Sequence, residues 1–261
     1  MSWGLIAQVV CDMLALALIV RLLALGLHSV YRVFCVFLVV EVIGTSLAIV
    51  QSAIGGLIDY RLTWIVMRII TWVCYLWMVY ALTGAILGKL TGILKLSRRF
   101  LNAAFLMAIV AALLTARFEY QAVGGCVGCS GLERAVGIAF VLERVISTVA
   151  LLAIIAMLAF MVFFPVRLPR NLVLFTAGYL VYFAAKTGIL LARDWTRDRA
   201  VLSIVSMCLM SACFVYWLLT ISEAGEAAPL TLRNMLRKGD EMRAVHQLEA
   251  MNLALLRAAR H

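Results

Sequence analysis

Charged and helix-breaking residues are scarce in this 261-residue chain. Only 14% of its residues are charged and only three are proline, whereas 66% are hydrophobic. The mean hydropathy of +1.07 is too high for a water-soluble domain, because such domains average about 45–50% apolar residues. A single soluble core of this size cannot hide so much apolar surface. The composition excludes a soluble enzyme, a disordered chain and a small disulfide-bonded scaffold, and predicts an integral membrane protein.

Residue types that commonly hold cofactors are also scarce. The three histidines, His28, His246 and His261, all lie outside the deep part of any apolar run. This excludes haem held by two histidines within the bilayer and disfavours an intramembrane zinc protease. The chain contains no P-loop, no Gly-x-Ser-x-Gly and no dinucleotide-binding glycine motif. We therefore expect no cofactor, no metal and no enzymatic activity.

Long apolar runs fill most of the sequence. A helix that crosses about 30 Å of hydrocarbon needs about 20 apolar residues, and seven continuous runs meet this length. The sequence predicts an all-α, polytopic membrane helical bundle, with a seven-helix transmembrane domain over residues 1–222 and a cytoplasmic tail over residues 223–261. The predicted transmembrane helices are Leu5–Leu25, Val33–Ser52, Thr63–Leu87, Phe100–Ala116, Val136–Phe164, Leu172–Leu191 and Val201–Ile221.

The basic residues of the loops predict the orientation of the bundle. With seven spans the two termini lie on opposite sides of the membrane, and the side of the C-terminus carries more Lys and Arg. The positive-inside rule therefore predicts a cytoplasmic C-terminus and an outside N-terminus, in a bacterial inner membrane. Basic residues spread over short loops indicate contact with anionic lipid and no nucleic-acid partner. Those on the C-terminal side are Arg32, Lys89, Lys95, Arg98, Arg99, Arg167, Arg170, Arg233, Arg237, Lys238, Arg243, Arg257 and Arg260, against Arg61, Arg117, Arg134, Arg193, Arg197 and Arg199 on the other.

Seven ionisable residues remain inside the predicted spans, where a lipid-exposed charge costs about 3 kcal/mol. Counting the rise per residue places one near the midplane, three in the outer half, two near the outer interface and one on the inner side. Two interpretations stay open: a salt-bridge network that fixes helix register, and a polar cavity that binds a small ligand or passes an ion. In that order of depth the residues are Glu41; Asp12, Arg68 and Lys186; Glu143 and Arg144; and Arg21. The candidate ligand-binding residues are Asp12, Glu41, Arg68, Glu143, Arg144, Tyr182 and Lys186.

Cys126 and Cys129 form a Cys-Val-Gly-Cys motif in a glycine-rich loop on the predicted outer side. In an oxidising compartment this pair could close a small disulfide. Thiol redox catalysis needs a lowered thiol pKa, and no basic residue is adjacent. A single motif of this kind cannot complete a four-ligand zinc site. The sequence therefore favours a disulfide over redox chemistry or metal binding.

The tail after Pro229 is predicted to form an amphipathic helix. Its apolar residues Leu248, Met251 and Leu255 recur at helical spacing, with arginines elsewhere on the helix surface. Such a helix either lies on the inner leaflet or docks onto a cytoplasmic protein partner. In the second case these three residues are the docking residues.

Three features together resemble a group of bacterial seven-span membrane proteins, which are similar in layout to the membrane regions of sensor kinases. These are the segment His28–Phe34 at the start of span two, the acidic Glu41 within it, and the basic turn Lys95–Arg99. The resemblance covers most of residues 1–222. It implies signal reception or coupling to a partner, and it supplies no catalytic residue.

The first functional hypothesis is therefore a receptor-like or accessory membrane module. A charged site in the outer half would bind a small anionic or zwitterionic ligand, and the tail helix would engage a cytoplasmic partner. The alternative is a small-solute or ion/proton transporter that uses Glu41, Arg68 and Lys186. A thiol redox protein that uses Cys126 and Cys129 is the least favoured hypothesis.

Overall fold

The computed structural model describes residues 3–54, 60–88, 90–122, 131–163, 168–195, 199–227 and 229–230, together with residues 246, 250 and 252. Seven of its helices are long and apolar enough to cross a membrane, which confirms the predicted helical bundle. In chain order the elements are α1 (Trp3–Ala24), a 3₁₀ turn (Leu27–Ser29), α2 (Arg32–Ile54), α3 (Tyr60–Leu87), α4 (Thr91–Ala122), α5 (Gly131–Phe163), β1 (Leu168–Pro169), α6 (Arg170–Trp195), α7 (Arg199–Thr220), α8 (Glu223–Ala227) and β2 (Pro229–Leu230).

Six of the long helices form a closed ring. Its neighbours run in the order α1, α2, α3, α5, α6 and α7, and α7 packs again on α1. Helix α4 lies outside the ring against α3 and α5, and it is the least buried of the seven spans. The side chains that point into the ring therefore come from six helices, and these side chains form the candidate site.

Local sequence explains where the helices begin and end. Proline removes a backbone donor and clashes with the preceding turn, and neither of the two prolines that the structure describes lies inside a helix. Pro169 directly precedes α6 and Pro229 follows α8. Gly26 adopts a left-handed conformation (φ 67°) just after α1, where only glycine avoids a steric penalty.

Helix α4 is longer than the sequence predicted. It begins at Thr91, so that Lys95, Arg98 and Arg99 lie on its first turns, whereas the prediction placed these residues in a loop before Phe100. No proline interrupts this stretch, and Ile93 and Leu94 belong to or pack against the hydrophobic core. Long basic side chains reach the membrane surface from the end of a helix. Lys95, Arg98 and Arg99 can therefore belong to α4 while their charged groups stay in contact with water.

The described part of the chain after residue 222 packs onto the bundle. Helix α8 contacts α6, and β2 pairs antiparallel with β1 through Leu168–Leu230 and Pro169–Pro229. Arg21 donates a hydrogen bond of 3.0 Å to the carbonyl of Ile221, at the end of α7. The docking residues Leu248, Met251 and Leu255 lie outside the described residues.

Asn252, farther along the tail, also contacts the bundle. The Asn252 side-chain oxygen accepts hydrogen bonds from the backbone amides of Gly92 (2.8 Å) and Ile93 (3.4 Å). These amides are in the first turn of α4, where backbone donors have no partner within the helix. The tail therefore returns to the bundle at this point and caps α4.

Candidate functional site

Five ionisable side chains from five helices of the ring meet at one level of the bundle. We call this set the polar layer. It contains Asp12 of α1, Glu41 of α2, Arg68 of α3, Glu143 of α5 and Lys186 of α6. All five are sequence-predicted site residues, so the structure brings together most of the predicted set.

Glu143 is the centre of the polar layer. Its Oε1 lies 2.9 Å from the Lys186 Nζ and 3.1 Å from the Arg68 Nη1. The Glu143 side chain is 4% exposed and that of Lys186 14%, whereas Arg68 is 33% exposed. One buried carboxylate thus holds two cations, and Arg68 keeps part of its guanidinium accessible.

Helix α5 begins earlier than the apolar run that starts at Val136. It begins at Gly131, so Glu143 lies twelve residues, or about 18 Å, from the helix start. At this point of α5 the Glu143 carboxylate contacts both Arg68 and Lys186. Its position near the outer interface stays a prediction.

Two tyrosines extend the ion pairs by hydrogen bonds. Lys186 Nζ donates to the Tyr75 hydroxyl at 2.5 Å, and the hydroxyls of Tyr75 and Tyr182 are 2.6 Å apart. The ammonium of Lys186 also lies 4.7 Å from the centre of the Tyr75 ring. A charged amine that has a carboxylate, a hydroxyl and an aromatic ring as neighbours is held in one geometry.

The two remaining carboxylates form no ion pair with any described residue. Asp12 Oδ1 accepts a hydrogen bond of 2.5 Å from the Thr45 hydroxyl. Glu41 lies one helical turn from Thr45, and its carboxylate has no hydrogen bond or ion pair with any residue that the structure describes. Glu41 is therefore the acidic group best placed to receive a ligand.

Two adjoining cavities surround these groups. The deep cavity, of about 160 Å³, is lined by Asp12 and Glu41, with Gln8 and Thr45 beside them. The shallow cavity, of about 310 Å³, is lined by Glu143 and by groups nearer the helix ends. Residues that line both cavities are Arg68, Lys186, Ile189, Ser203 and Ser206.

The shallow cavity has cationic and aromatic walls. Arg193 contributes a guanidinium whose carbon lies 3.5 Å from the centre of the Phe140 ring. Trp64 packs against Phe140, with ring centres 4.7 Å apart, and lies 5.3 Å from the Arg68 guanidinium carbon. Guanidinium groups that stack on aromatic faces are held in place and bind planar anions such as carboxylates.

Below the polar layer lies a cluster of buried rings, which we call the aromatic layer. Ring centres in this cluster are 4.6–6.3 Å apart, and most contacts are edge-to-face or tilted. Its members Tyr75, Tyr179, Phe37, Phe183 and Trp217 are completely buried and Phe34 is 1% exposed. Two residues that line the deep cavity, Tyr182 and Phe214, contact the layer. The layer consists of Phe34, Phe37, Tyr75, Phe175, Tyr179, Phe183 and Trp217.

Not every predicted residue reaches the site. Arg144 directly follows Glu143, and one residue turns a helix by about 100°, so Arg144 lines neither cavity. Its backbone carbonyl accepts a hydrogen bond from Thr148. Tyr182 does line the deep cavity, as predicted. Cys126 and Cys129 lie outside the described residues, so their disulfide stays a prediction.

Several polar residues of the site were not predicted from the sequence. Tyr75, Thr45, Gln8 and the α7 serines Ser203 and Ser206 are ordinary residues in apolar helices, and each alone is consistent with helix packing. Arg193 was assigned to a loop. The signal that could have found them is their helical spacing from the predicted charges, since Thr45 lies four residues after Glu41.

Among the described residues, no group of three or more His, Cys, Asp and Glu side chains is arranged to hold a metal ion. The site therefore offers hydrogen bonds and charges for recognition. No protein-family model, no curated protein and no solved structure matches this chain. The function has to be inferred from the geometry of the polar layer alone.

Proposed function

We propose that this protein is an integral membrane binding module, receptor-like or accessory, that takes up a small zwitterionic or anionic solute in its polar layer. The observation that carries the proposal is the separation of charge between the two cavities. Asp12 and Glu41 line only the deep cavity, whereas Arg193 and Glu143 line only the shallow one. Arg68 and Lys186 stand between them.

The charges that line each cavity indicate which charged group of a ligand would bind there. The shallow cavity is lined by three cationic groups and one carboxylate, which favours an anionic group there. The deep cavity adds two carboxylates, of which Glu41 has no direct partner among the described residues, which favours a cationic group. A zwitterion that spans both cavities would pair with Glu41 at one end and with Arg68 at the other.

The size and position of the site suit a small solute. The volume of the shallow cavity, about 310 Å³, lies at the lower end of the range of small-molecule pockets, about 300–1,000 Å³, and that of the deep cavity, about 160 Å³, lies below it. The aromatic layer contacts Tyr182 and Phe214, which line the deep cavity, and its rings are almost completely buried. A polar cavity above a tightly packed layer of rings favours binding over conduction.

The test uses purified protein and a panel of the amino acids and 4-aminobutanoate, each with its deaminated and its decarboxylated analogue. A ligand that binds only the folded state raises its stability, by about 2.7 kcal/mol at a hundredfold excess over Kd. We expect at least one zwitterion to raise the melting temperature by several degrees, and its two analogues to have little effect.

Variants assign the effect to the polar layer. Glu41→Gln and Arg68→Gln should each abolish the shift, whereas Arg32→Gln, an exposed arginine at the start of α2, should leave it unchanged. If no member of the panel shifts the melting temperature, or if Glu41→Gln and Arg68→Gln respond like the wild type, the proposal is contradicted.

A second candidate function is proton or solute transport. The observation that favours it is the hydrogen-bonded series Glu143, Lys186, Tyr75 and Tyr182, which leads from the polar layer toward the aromatic layer. In this function Glu41 would be the protonatable group. Proteoliposome flux that Glu41→Gln abolishes would favour transport, and flux that this variant leaves unaffected would exclude the mechanism.

The partner of the module is proposed to bind the tail. Deleting residues 231–261 should leave the bundle folded, because the paired segment up to Leu230 is retained. The deletion should abolish co-purification of the partner from native membranes. Asn252→Ala is the matched control, because it removes only the cap on α4. Full-length protein that purifies alone from its native membrane contradicts this part of the proposal.

A further inference from the structure

A third cavity lies at the opposite end of the bundle from the polar layer and plays no part in the proposed function. Its volume is about 200 Å³, and its walls come from α2, α3, α6 and the segment after α7. We call it the lateral cavity. Along α3 it extends from Met78 to Ala85, two helical turns or about 10 Å.

The lateral cavity opens onto the apolar surface of the bundle. Ala81 and Ala85 are exposed, and Val30 is 58% exposed, although all three line the cavity. The deeper wall is formed by buried Phe34 and Phe175. In a membrane this opening faces lipid, so the group that enters it comes from the bilayer.

A network of hydrogen bonds closes the end of the cavity. We call Tyr31, Asn171, Ser222 and Glu226 the latch. Tyr31 donates to the Glu226 carboxylate at 2.9 Å, and the Asn171 amide donates to the Ser222 carbonyl at 2.7 Å and to Glu226 at 3.3 Å. Burial and the neighbouring carboxylate of Glu226 raise the pKa of Tyr31, so the phenol keeps its proton and remains a donor.

The latch presents a carboxylate to the cavity that has no counter-ion among the described residues. Glu226 lines the lateral cavity, and no Lys, Arg or His among the described residues lies within 4.0 Å of it. Both of its neighbours are neutral donors. A charged group in a partly apolar environment is stable when it is paired, so a cation is the missing partner.

Two exposed basic residues directly follow residues that line the cavity. Arg32 directly follows Tyr31, and Arg170 directly follows Pro169, and both cavity-lining residues thus have an exposed arginine as neighbour. The charge rule places this end of the bundle at the cytoplasmic surface, where phospholipid headgroups lie. The apolar slot suits an acyl chain, the carboxylate suits an ammonium group, and the two arginines suit a phosphate.

We propose that the lateral cavity is a binding site for a phosphatidylethanolamine-type phospholipid. One acyl chain occupies the cavity between α2, α3 and α6, the ammonium group donates hydrogen bonds to Glu226, and the phosphate is paired with Arg32 and Arg170. The three N–H donors of a primary ammonium can bind a carboxylate that already accepts from Tyr31 and Asn171. The trimethylated ammonium of phosphatidylcholine has no such donor, and phosphatidylglycerol has no cation.

The experiment is native mass spectrometry of the full-length protein in detergent, with added phosphatidylethanolamine, phosphatidylcholine or phosphatidylglycerol that carry the same acyl chains. We expect the lipid-bound fraction to be at least fivefold higher for phosphatidylethanolamine than for phosphatidylcholine. Glu226→Gln should remove this preference and leave residual binding through the chain and the phosphate.

A second pair of variants tests the cavity itself. Ala85→Leu fills the lateral cavity and should lower bound phosphatidylethanolamine at least fivefold. Ala17→Leu makes the same change at an exposed position of α1 and should not. Elution as a single folded species checks that each variant is intact.

Three results would overturn the proposal. These are equal binding of the three lipids, an unchanged preference in Glu226→Gln, and equal binding by Ala85→Leu and Ala17→Leu. Tighter binding of phosphatidylglycerol than of phosphatidylethanolamine would show that the arginines alone recognise an anionic headgroup, and would also overturn it. None of these results depends on the polar layer, so they leave the proposed solute site untouched.

Discussion

The polar layer and the aromatic layer lie next to each other in one ring of helices but are held together differently. In the polar layer, Glu143 binds Arg68 and Lys186 through directed contacts of 2.9–3.1 Å, and two cavities remain between the side chains. In the aromatic layer, rings of almost zero exposure contact one another edge-to-face.

The difference follows from the physics of the two kinds of contact. Charges need partners at fixed distances and angles, so a layer built from them tolerates gaps between its contacts. Aromatic packing depends on short-range dispersion, which is lost wherever a gap opens. A ligand therefore finds space in the polar layer, and the aromatic layer supplies a rigid floor.

The largest expected effect is that of Glu143→Gln. The variant leaves Arg68 and Lys186 without their shared carboxylate, and removing one partner of a buried ion pair typically costs about 3–5 kcal/mol. The free energy of unfolding in mixed micelles measures the loss. Adding Lys186→Met should recover part of it, because one unpaired cation is removed. Glu223→Gln, at an exposed position of α8, is the control, and an equal response of the two single variants would contradict the role of Glu143.

The next effect concerns the aromatic layer and uses two glycines of α6. A Cβ atom at Gly178 would collide with the Trp217 indole, whereas at Gly188, near the polar layer, it would meet nothing within 4 Å. Overpacking costs about 1–3 kcal/mol, so Gly178→Ala should lower the free energy of unfolding by that amount. Gly188→Ala should be neutral or slightly stabilising. Equal effects would mean that the two layers are packed alike.

A smaller effect is expected at the boundary of the two layers. Tyr182→Phe removes the hydroxyl that lies 2.6 Å from that of Tyr75 and leaves the ring in place. A neutral hydrogen bond contributes about 1 kcal/mol to stability. We expect a loss of that size in the same unfolding measurement. No measurable loss would show that the tyrosine pair does not join the layers.

The smallest effect on stability is expected from Glu41→Gln. Its carboxylate has no direct partner among the described residues, so the free energy of unfolding should change by less than about 0.5 kcal/mol. The same substitution at Glu143 in the same layer is the matched comparison. A loss of 2 kcal/mol or more at Glu41 would show that this residue supports the fold, and would weaken its assignment to ligand binding.

Part of the site followed from counting along the sequence. Glu41 was expected near the midplane and Arg68 and Lys186 in the outer half, and the structure brings all three to the deep cavity. Counting placed Glu143 nearer the outer interface, and it did not predict that this residue pairs with both Arg68 and Lys186. It also could not choose between Glu143 and Arg144, since adjacent residues differ by about 100° around a helix and only the neighbours of α5 decide which of them faces the ring.

The two tyrosines of α6 show the same limit. Tyr179 and Tyr182 lie three residues, or about 4.5 Å, apart along the helix. Tyr182 reaches the Tyr75 hydroxyl, whereas the Tyr179 hydroxyl is buried in the aromatic layer and has no hydrogen-bond partner among the described residues. Less than one helical turn separates the two environments.

The sequence by itself determined that this chain forms seven apolar helices and carries charges at mid-depth, because hydrophobicity and the rise per residue are local properties of a helix. It also supplied the excess of basic residues from which the orientation is predicted. The tertiary structure decided which charges pair, which remain accessible and where the cavities lie. Those properties depend on the order of the helices in the ring, where α5 lies between α3 and α6, and on how each helix is rotated about its own axis. Both the order and the rotation arise from contacts between residues far apart in the chain.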